Sequence, residues 1–378
     1  MGHSKNAHIE LLVLQGTGFC NIECSYCYLP GRTDTRRMSE ATVRAILTKV
    51  LESRFVSGSI TVCWHAGEPL VLPRAFYARA MDMAADLAPP GLSVTHNTQT
   101  NGLLLDDAWC RFIAERGVRL GLSLDGPAFL HDAARRTRSG AGTHARVMRS
   151  VGMLHAHGVP FHVITVLRRE SLAHADALFD FYVAHGIREV AFNIEEIDGA
   201  VTTSSLAGSD AEGAFRAFLA RFLARMRAMP GAVLLREHAW ASAAIAEGLP
   251  PGYNQEADPF RILSVTRDGK VSSFSPELLG TASAAHDDFI LGDLMNEDLD
   301  TIWRRTVDSR LAAEIGAGVA ACRARCAHFP LCGGGAPANK WAEHGRFDAT
   351  ETMYCRLMRK ALVEEVLADM EAALGLAA

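Results

Sequence analysis

The chain has 378 residues, 49% of them hydrophobic and 21% charged, with a formal net charge of −5. That length and apolar content support a large buried core and exclude a disordered chain, and the lack of any basic block or tail argues against a nucleic-acid partner. No uninterrupted apolar stretch is long enough to span a membrane, and MGHSKNAHIELLVLQ lacks the charged start, apolar run and cleavage site of an export signal; a cytoplasmic location is expected, with no membrane partner.

From Ile9 to about Asn193, short β-branched runs alternate with helical patterns. Strands are predicted over 9–15, 59–64, 92–97, 118–124, 161–167 and 189–193, and helices over 39–53, 74–87, 106–116, 145–157 and 172–185. Ser39 ahead of Glu40, with Val43, Ile46, Leu47 and Val50 on one face, reads as a capped amphipathic helix. Strand–helix alternation implies an α/β fold of parallel strands joined by right-handed crossovers. Six such units make a partial (β/α)6 barrel, whose chemistry is expected at the C-terminal strand ends. Residues 1–200 are assigned to this barrel. Residues 201–251 read as a helical bridge with Phe215, Phe218, Leu219, Phe222 and Met226 on one stripe. Residues 252–378 read as a loop-rich unit closed by an amphipathic helix from Arg356 that carries Leu362, Val363, Val366, Leu367 and Met370.

Nine cysteines fall in two tight groups with two strays, a pattern for metal rather than disulfides. Cys20, Cys24 and Cys27 lie in GTGFCNIECSYCYLPGR, just after the first predicted strand. Three thiolates on one loop can hold three irons of a [4Fe–4S] cubane and leave the fourth iron open. A zinc knuckle or a disulfide pair is the plainer alternative, but zinc prefers four ligands in paired short spacings and no fourth Cys or His follows closely. An open iron suits S-adenosylmethionine (SAM), whose amino and carboxylate groups can chelate it. Cys322, Cys326, Cys332 and Cys355 form the second group; four thiolates would close the coordination of an auxiliary [4Fe–4S] cluster, with zinc again the alternative. The Gly333–Gly335 run lets backbone approach such a cluster. Cys63 and Cys110 read as core residues.

The first cysteine loop, with Tyr28 directly after the third cysteine, resembles the signature of the radical SAM superfamily. Trp64-His65-Ala66-Gly67-Glu68-Pro69 after the second strand resembles that superfamily's GGEP-like element. The resemblance implies that Ala66, Gly67, Glu68 and Pro69 meet the SAM amino group. Ala66 stands where glycine is usual and is tolerated if its φ is negative. Asn101, Ser123 and Asp125, in QTNG and SLDG, are implied for the ribose and methionine carboxylate. Arg135, or its neighbour Arg136, is implied to pair with that carboxylate, and Asn193 to lie on the adenosine or substrate side, with Glu195, Glu196 and Asp198 beyond it. Turn formers and solvated charges are the plain alternative for each.

The C-terminal unit resembles SPASM domains, so the fold expected is a partial radical SAM barrel with a SPASM-like iron–sulfur domain. Ala336 and the stretch Gly269–Phe274 stand where further cysteines are usual, which leaves one auxiliary cluster. FSPELLG, LCGGGAPANK and TETMYCR resemble the cyclophane-forming maturases of the Gly-rich-repeat (Grr) type. This implies a 5′-deoxyadenosyl radical that removes a β-hydrogen from a ribosomally made precursor peptide, leader plus core. The carbon radical attacks an aromatic ring and closes a three-residue cyclophane. The second electron leaves through the auxiliary cluster and the proton through a base, for which His65, Glu196 and Glu277 are unranked candidates. A flavodoxin or ferredoxin is implied as low-potential electron donor. Leader recognition is expected from the bridge, the C-terminal unit or a separate protein, because few residues precede Cys20. Ser275 replaces the Asp of sulfatase-maturing relatives and argues against formylglycine formation. Thioether formation, hydroxylation and epimerisation are the rival peptide reactions; an iron–sulfur electron carrier or redox sensor, or a zinc-stabilised binding module, are rivals of another class.

Overall fold

The computed structural model describes residues 8–247 and 253–376. In chain order the first half comprises β1 (Leu11–Gln15), β2 (Ile22–Cys24), α1 (Glu40–Leu51), β3 (Ser59–Trp64), α2 (Arg74–Leu87), β4 (Ser93–Thr100), α3 (Asp107–Arg116), β5 (Arg119–Ser123), α4 (Ala128–Ala134), β6 (Arg135–Thr137), α5 (His144–Ala156), β7 (Phe161–Leu167), α6 (Ala175–Ala184) and β8 (Glu189–Ile194). β1, β3, β4, β5, β7 and β8 pair in that order, all parallel, so the six predicted barrel strands are present in one sheet. Ser39 caps α1 by accepting from the Thr42 N–H, and Val43, Ile46, Leu47 and Val50 are buried as the periodicity requires. Alternation along β3 puts Ile60, Val62 and Trp64 on the helix side, where Trp64 meets Phe76 and Tyr77 of α2 edge-on. Thr61 and Cys63 therefore point to the opposite face.

β4 runs three residues beyond the predicted end, so Gln99 and Thr100 lie within the strand rather than after it. Its side chains are almost all polar (SVTHNTQT), which hid it from a search for apolar runs. They are satisfied across strands: Thr61 and Thr95 share a 3.0 Å hydrogen bond, and Gln99 Nε2 donates to Ser123 Oγ at 2.9 Å.

The bridge is more than one helix. α7 (Ala211–Ala228) buries Phe215, Phe218, Leu219 and Phe222 against α6 and β8, with the Phe222 ring 5.0 Å from that of Phe192. The two-residue strand β9 (Leu234–Leu235) then extends the sheet beside β8, and α8 (Arg236–Glu247) follows. The proposed boundary at 251/252 lies outside the described residues.

The C-terminal part carries several helices among its loops, and it is continuous with the barrel sheet. β10 (Ile262–Thr266) pairs parallel with the free side of β1, β11 (Lys270–Ser273) and β12 (Gly292–Asp293) add antiparallel strands, and the sheet reaches ten strands. α9 (Leu299–Val307), α10 (Arg310–Arg325), α11 (Phe329–Cys332), α12 (Pro337–His344), a π-helical turn over Cys355–Ala361 and α13 (Leu362–Ala373) complete the chain. α10 (RLAAEIGAGVAACRAR) packs with small residues that leave little periodic contrast in the sequence: a Cβ on Gly318 would sit 2.1 Å from the Phe347 carbonyl oxygen. α13 buries Leu362, Val363 and Val366 but leaves Leu367 exposed.

Candidate active site

The loop after β1 is held from two sides. β2 pairs antiparallel with β6, which sets Cys24 opposite Arg135. The loop after β3 packs backbone to backbone on the cysteine loop: Glu68 N donates to the Phe19 carbonyl at 2.8 Å, and a Cβ on Gly67 would lie 2.4 Å from that oxygen, so only glycine fits. Asn101 Nδ2 bonds Asn21 Oδ1 at 2.7 Å and sits 3.8 Å from Cys20 Sγ; Arg135 Nη1 lies 3.9 Å from Cys24 Sγ. Burial pushes the Cys20 thiol up and the Cys24 thiol to about 12, and each also feels Cys27. The loop thus brings three thiols together with N–H donors and a buried guanidinium at their sulfurs, a donor set suited to an anionic iron–sulfur cubane. Among the described residues, no three His, Cys, Asp or Glu side chains converge tightly enough to enclose a single metal ion.

Several residues expected to face SAM also have partners within the protein. Glu68 is buried; Oε1 accepts from Leu70 N and Thr100 Oγ1 at 2.9 and 2.6 Å, and Oε2 from Asn101 N at 2.8 Å. Its carboxylate ties the β3 loop to the end of β4. Asp125 and Arg135 form a buried ion pair, Nε–Oδ2 2.9 Å and Nη2–Oδ1 3.2 Å, and Tyr26 OH donates to the same carboxylate at 2.5 Å. Arg136 turns outward and donates to the Asp132 carbonyl, so Arg135 is the inward member of the pair. Ser123 accepts from Gln99, and Asn193 Oδ1 from Arg236 Nη2 at 3.0 Å. Pro69 starts a short 3-10 turn and accepts from Tyr77 OH. Ala66 has φ +76°, not the negative angle expected. A Cβ in the left-handed region is strained. Ala66→Gly is therefore expected to raise stability by about 0.5–1 kcal/mol after the added flexibility of the unfolded glycine, read from the urea midpoint under anaerobic conditions; an unchanged or lower midpoint would show that the angle carries no strain.

The second cysteine group assembles from α10, α11 and the π-helical turn. Cys322, Cys332 and Cys355 all lie close enough to perturb one another or their shared neighbours, with Cys326 beside them. Burial pushes the Cys355 thiol to about 11. The glycine run packs on neighbouring backbone: a Cβ on Gly333 would meet the Tyr253 carbonyl oxygen at 2.3 Å, and Gly334 has φ +113°. Cys110 is buried on α3, as a core residue should be, whereas Cys63 on β3 is only partly buried and acts on Tyr28 together with Cys27.

Comparison with known proteins agrees with this arrangement. The radical SAM superfamily model matches residues 14–182. The chain is 36% identical over 375 residues to the uncharacterized protein sll1766 of Synechocystis sp. (strain ATCC 27184 / PCC 6803 / Kazusa), covering 97% of this chain and 94% of that protein. The chain belongs to the radical SAM superfamily. Within that superfamily it is 35% identical over 183 residues to the serine-type anaerobic sulfatase-maturating enzyme of Klebsiella aerogenes, an alignment that spans 48% of this chain and about half the relative, 45%. In fold, this radical SAM enzyme is similar to native anSMEcpe with bound AdoMet and Cp18Cys peptide (TM-score 0.78, 20% identity, 97% of this chain and 99% of that one). It is also similar to Streptococcus suis SuiB bound to S-adenosylmethionine (TM-score 0.65, 15% identity, 92% and 77%). Among the described residues no helix is long and apolar enough to cross a membrane.

Between the two cysteine groups of this radical SAM enzyme lies a cluster of carboxyls. Gly199 docks so closely on Tyr28 that a Cβ there would be 2.3 Å from the Tyr28 carbonyl oxygen, and Ala200 N donates to that oxygen at 2.8 Å. This places Asp198 beside the residue that follows Cys27. Glu277 and Asp198 both perturb Tyr28, whose hydroxyl bonds His65 Nε2 at 3.1 Å. Glu196 accepts from Asn339 Nδ2 at 2.6 Å, and Glu256 accepts from Ser275 Oγ at 3.0 Å. Burial, with like charges beside it, pushes Glu196 to about 8 and Asp198 to about 7, and holds Glu277 well above the carboxylate range. Burial also pushes His65 down, which favours its neutral form. On the far side Tyr354, next to Cys355, feels Glu196 and Glu256. Sequence reading missed Glu256, whose only signal was its place upstream of β10, and did not rank Asp198 as a proton acceptor because its contact with Tyr28 spans the whole barrel.

Proposed function

We propose that this radical SAM enzyme is a peptide maturase that joins an aromatic ring carbon to a β-carbon of a ribosomally made precursor peptide, closing a three-residue cyclophane. The observation that supports this most is the carboxyl cluster between the two cysteine groups, which acts on Tyr28 beside Cys27 and on Tyr354 beside Cys355. Likeness to structures that hold the Cp18Cys peptide, or precursor peptide SuiA in SuiB, supports a peptide as the partner. When bound, SAM on the first cluster supplies a 5′-deoxyadenosyl radical that accepts a hydrogen atom, and a cluster on Cys322, Cys326, Cys332 and Cys355 supplies a one-electron acceptor.

The chain's own residues account for what remains. Joining two C–H carbons removes two electrons and two protons. One of each leaves as the hydrogen atom, one electron passes toward the second cysteine group, and one proton must go to a base. A desolvated carboxyl whose pKa is raised to about 7, as at Asp198, can take it near neutral pH. Asp198 is the best matched in pKa, and it acts on Tyr28 together with Glu277. Gly67 and Asn101 brace the first cysteine loop, and the Asp125–Arg135 pair sets its charge.

The test is the intact and fragment mass of the short peptide encoded beside this gene after anaerobic co-expression. A loss of two hydrogens, with fragmentation blocked across an aromatic-x-x segment that lacks Cys, is the expected result. The same loss mapped to a Cys would make the product a thioether, and a gained oxygen would make the reaction hydroxylation. An unchanged mass with SAM still cleaved would favour epimerisation.

A further inference from the structure

Lys340 is buried in α12, only 3% exposed. Its stem passes Gly335, where a Cβ would lie 3.7 Å from Cε, and its ammonium sits in a niche beside Gly318, where a Cβ would lie 3.0 Å from Nζ. Nζ is 3.7 Å from Cys322 Sγ, and Cys332 and Cys355 are also close enough to act on it. Among the described residues no carboxylate lies within ion-pair distance of it. Lysine is almost never fully buried unless paired, and an unpaired buried ammonium is strongly destabilising. Four neutral thiols offer no counter-charge. Four thiolates around a [4Fe–4S] core leave a net negative charge, which grows by one on reduction.

We propose that Lys340 is the built-in counter-charge of the second cluster and raises its reduction potential, so that it accepts the electron released by the substrate more readily. A fixed cation favours the more negative, reduced state, and the dry niche leaves it little screened. The inference rests on assigning an iron–sulfur cluster to Cys322, Cys326, Cys332 and Cys355.

The experiment is an EPR-monitored redox titration in the Cys20→Ala/Cys24→Ala/Cys27→Ala chain, which isolates the second cluster. Lys340→Met is expected to lower the midpoint so that, at the unsubstituted chain's midpoint, the reduced-to-oxidised ratio falls about tenfold, which is about 59 mV for a one-electron couple. Lys340→Arg is expected to keep the midpoint. If the methionine variant fails to hold iron, Lys340→Gln, which removes the charge but keeps a polar donor, gives the same comparison. Full iron and sulfide with an unmoved midpoint in the neutral variants overturns the proposal. A background chain that holds zinc, or no iron, overturns the cluster assignment itself, a failure distinct from the first.

Discussion

Asp198→Asn is expected to leave 5′-deoxyadenosine formation in place while cross-linked peptide falls by about 10²–10⁴-fold, the range for losing a positioned proton acceptor. Asp198 is buried and packed by its Gly199 neighbour onto Tyr28, so it lies where the first cysteine loop meets the carboxyl cluster. Burial first, and then the charge of Glu256, pushes its carboxyl to about 7. A base acts in its deprotonated form, so product formation in the unsubstituted enzyme should rise with pH through about 7, and the variant should lose that limb. The measurement is the ratio of 5′-deoxyadenosine to cross-linked peptide across pH. If both products fall together, or neither falls, Asp198 is not the acceptor. The same ratio with Glu277→Gln then ranks the remaining carboxyls.

Arg135→Met is expected to cost about 3–5 kcal/mol of stability, because it leaves a carboxylate buried without its partner. Asp125 is 2% and Arg135 6% exposed, and Asp125 also accepts from Tyr26 OH and Val166 N. Burial works against ionising Asp125, and the Arg135 guanidinium, His131 and the Tyr26 hydrogen bond together outweigh it and hold the carboxyl below its usual range. The double variant Asp125→Asn/Arg135→Met should recover part of the loss, since the orphaned charge is gone. Urea unfolding of the single and double variants measures this. A single-variant loss below about 1 kcal/mol would mean that the pair is not a buried brace.

Much of the barrel was legible because its signals are local. β3 and β7 have the bounds predicted, since each alternates β-branched and aromatic residues between clear turns. β4 ran past its predicted end because its stabilisation comes from cross-strand hydrogen bonds, which a hydropathy pattern cannot register. The C-terminal helices were missed where Ala and Gly replace larger apolar residues, as in α10, since small residues allow close packing but leave little periodic contrast. Within the site, spacing identified the cysteines, whereas the partners of Glu68, Asp125 and Asn193 come from strands and helices far along the chain.

Taken alone, the sequence determined the alternation of strands and helices and the two cysteine groups, because periodicity and loop spacing are properties of neighbours in the chain. Only the tertiary structure decided that Ala66 adopts a positive φ and that Arg135 rather than Arg136 turns inward. The same holds for the carboxyls of Glu196, Asp198, Glu256 and Glu277, which form one cluster, and for Lys340, which is buried against Cys322. Each of these depends on burial and on charges brought together from distant segments, and the cost of desolvating a group is set by what the fold places around it.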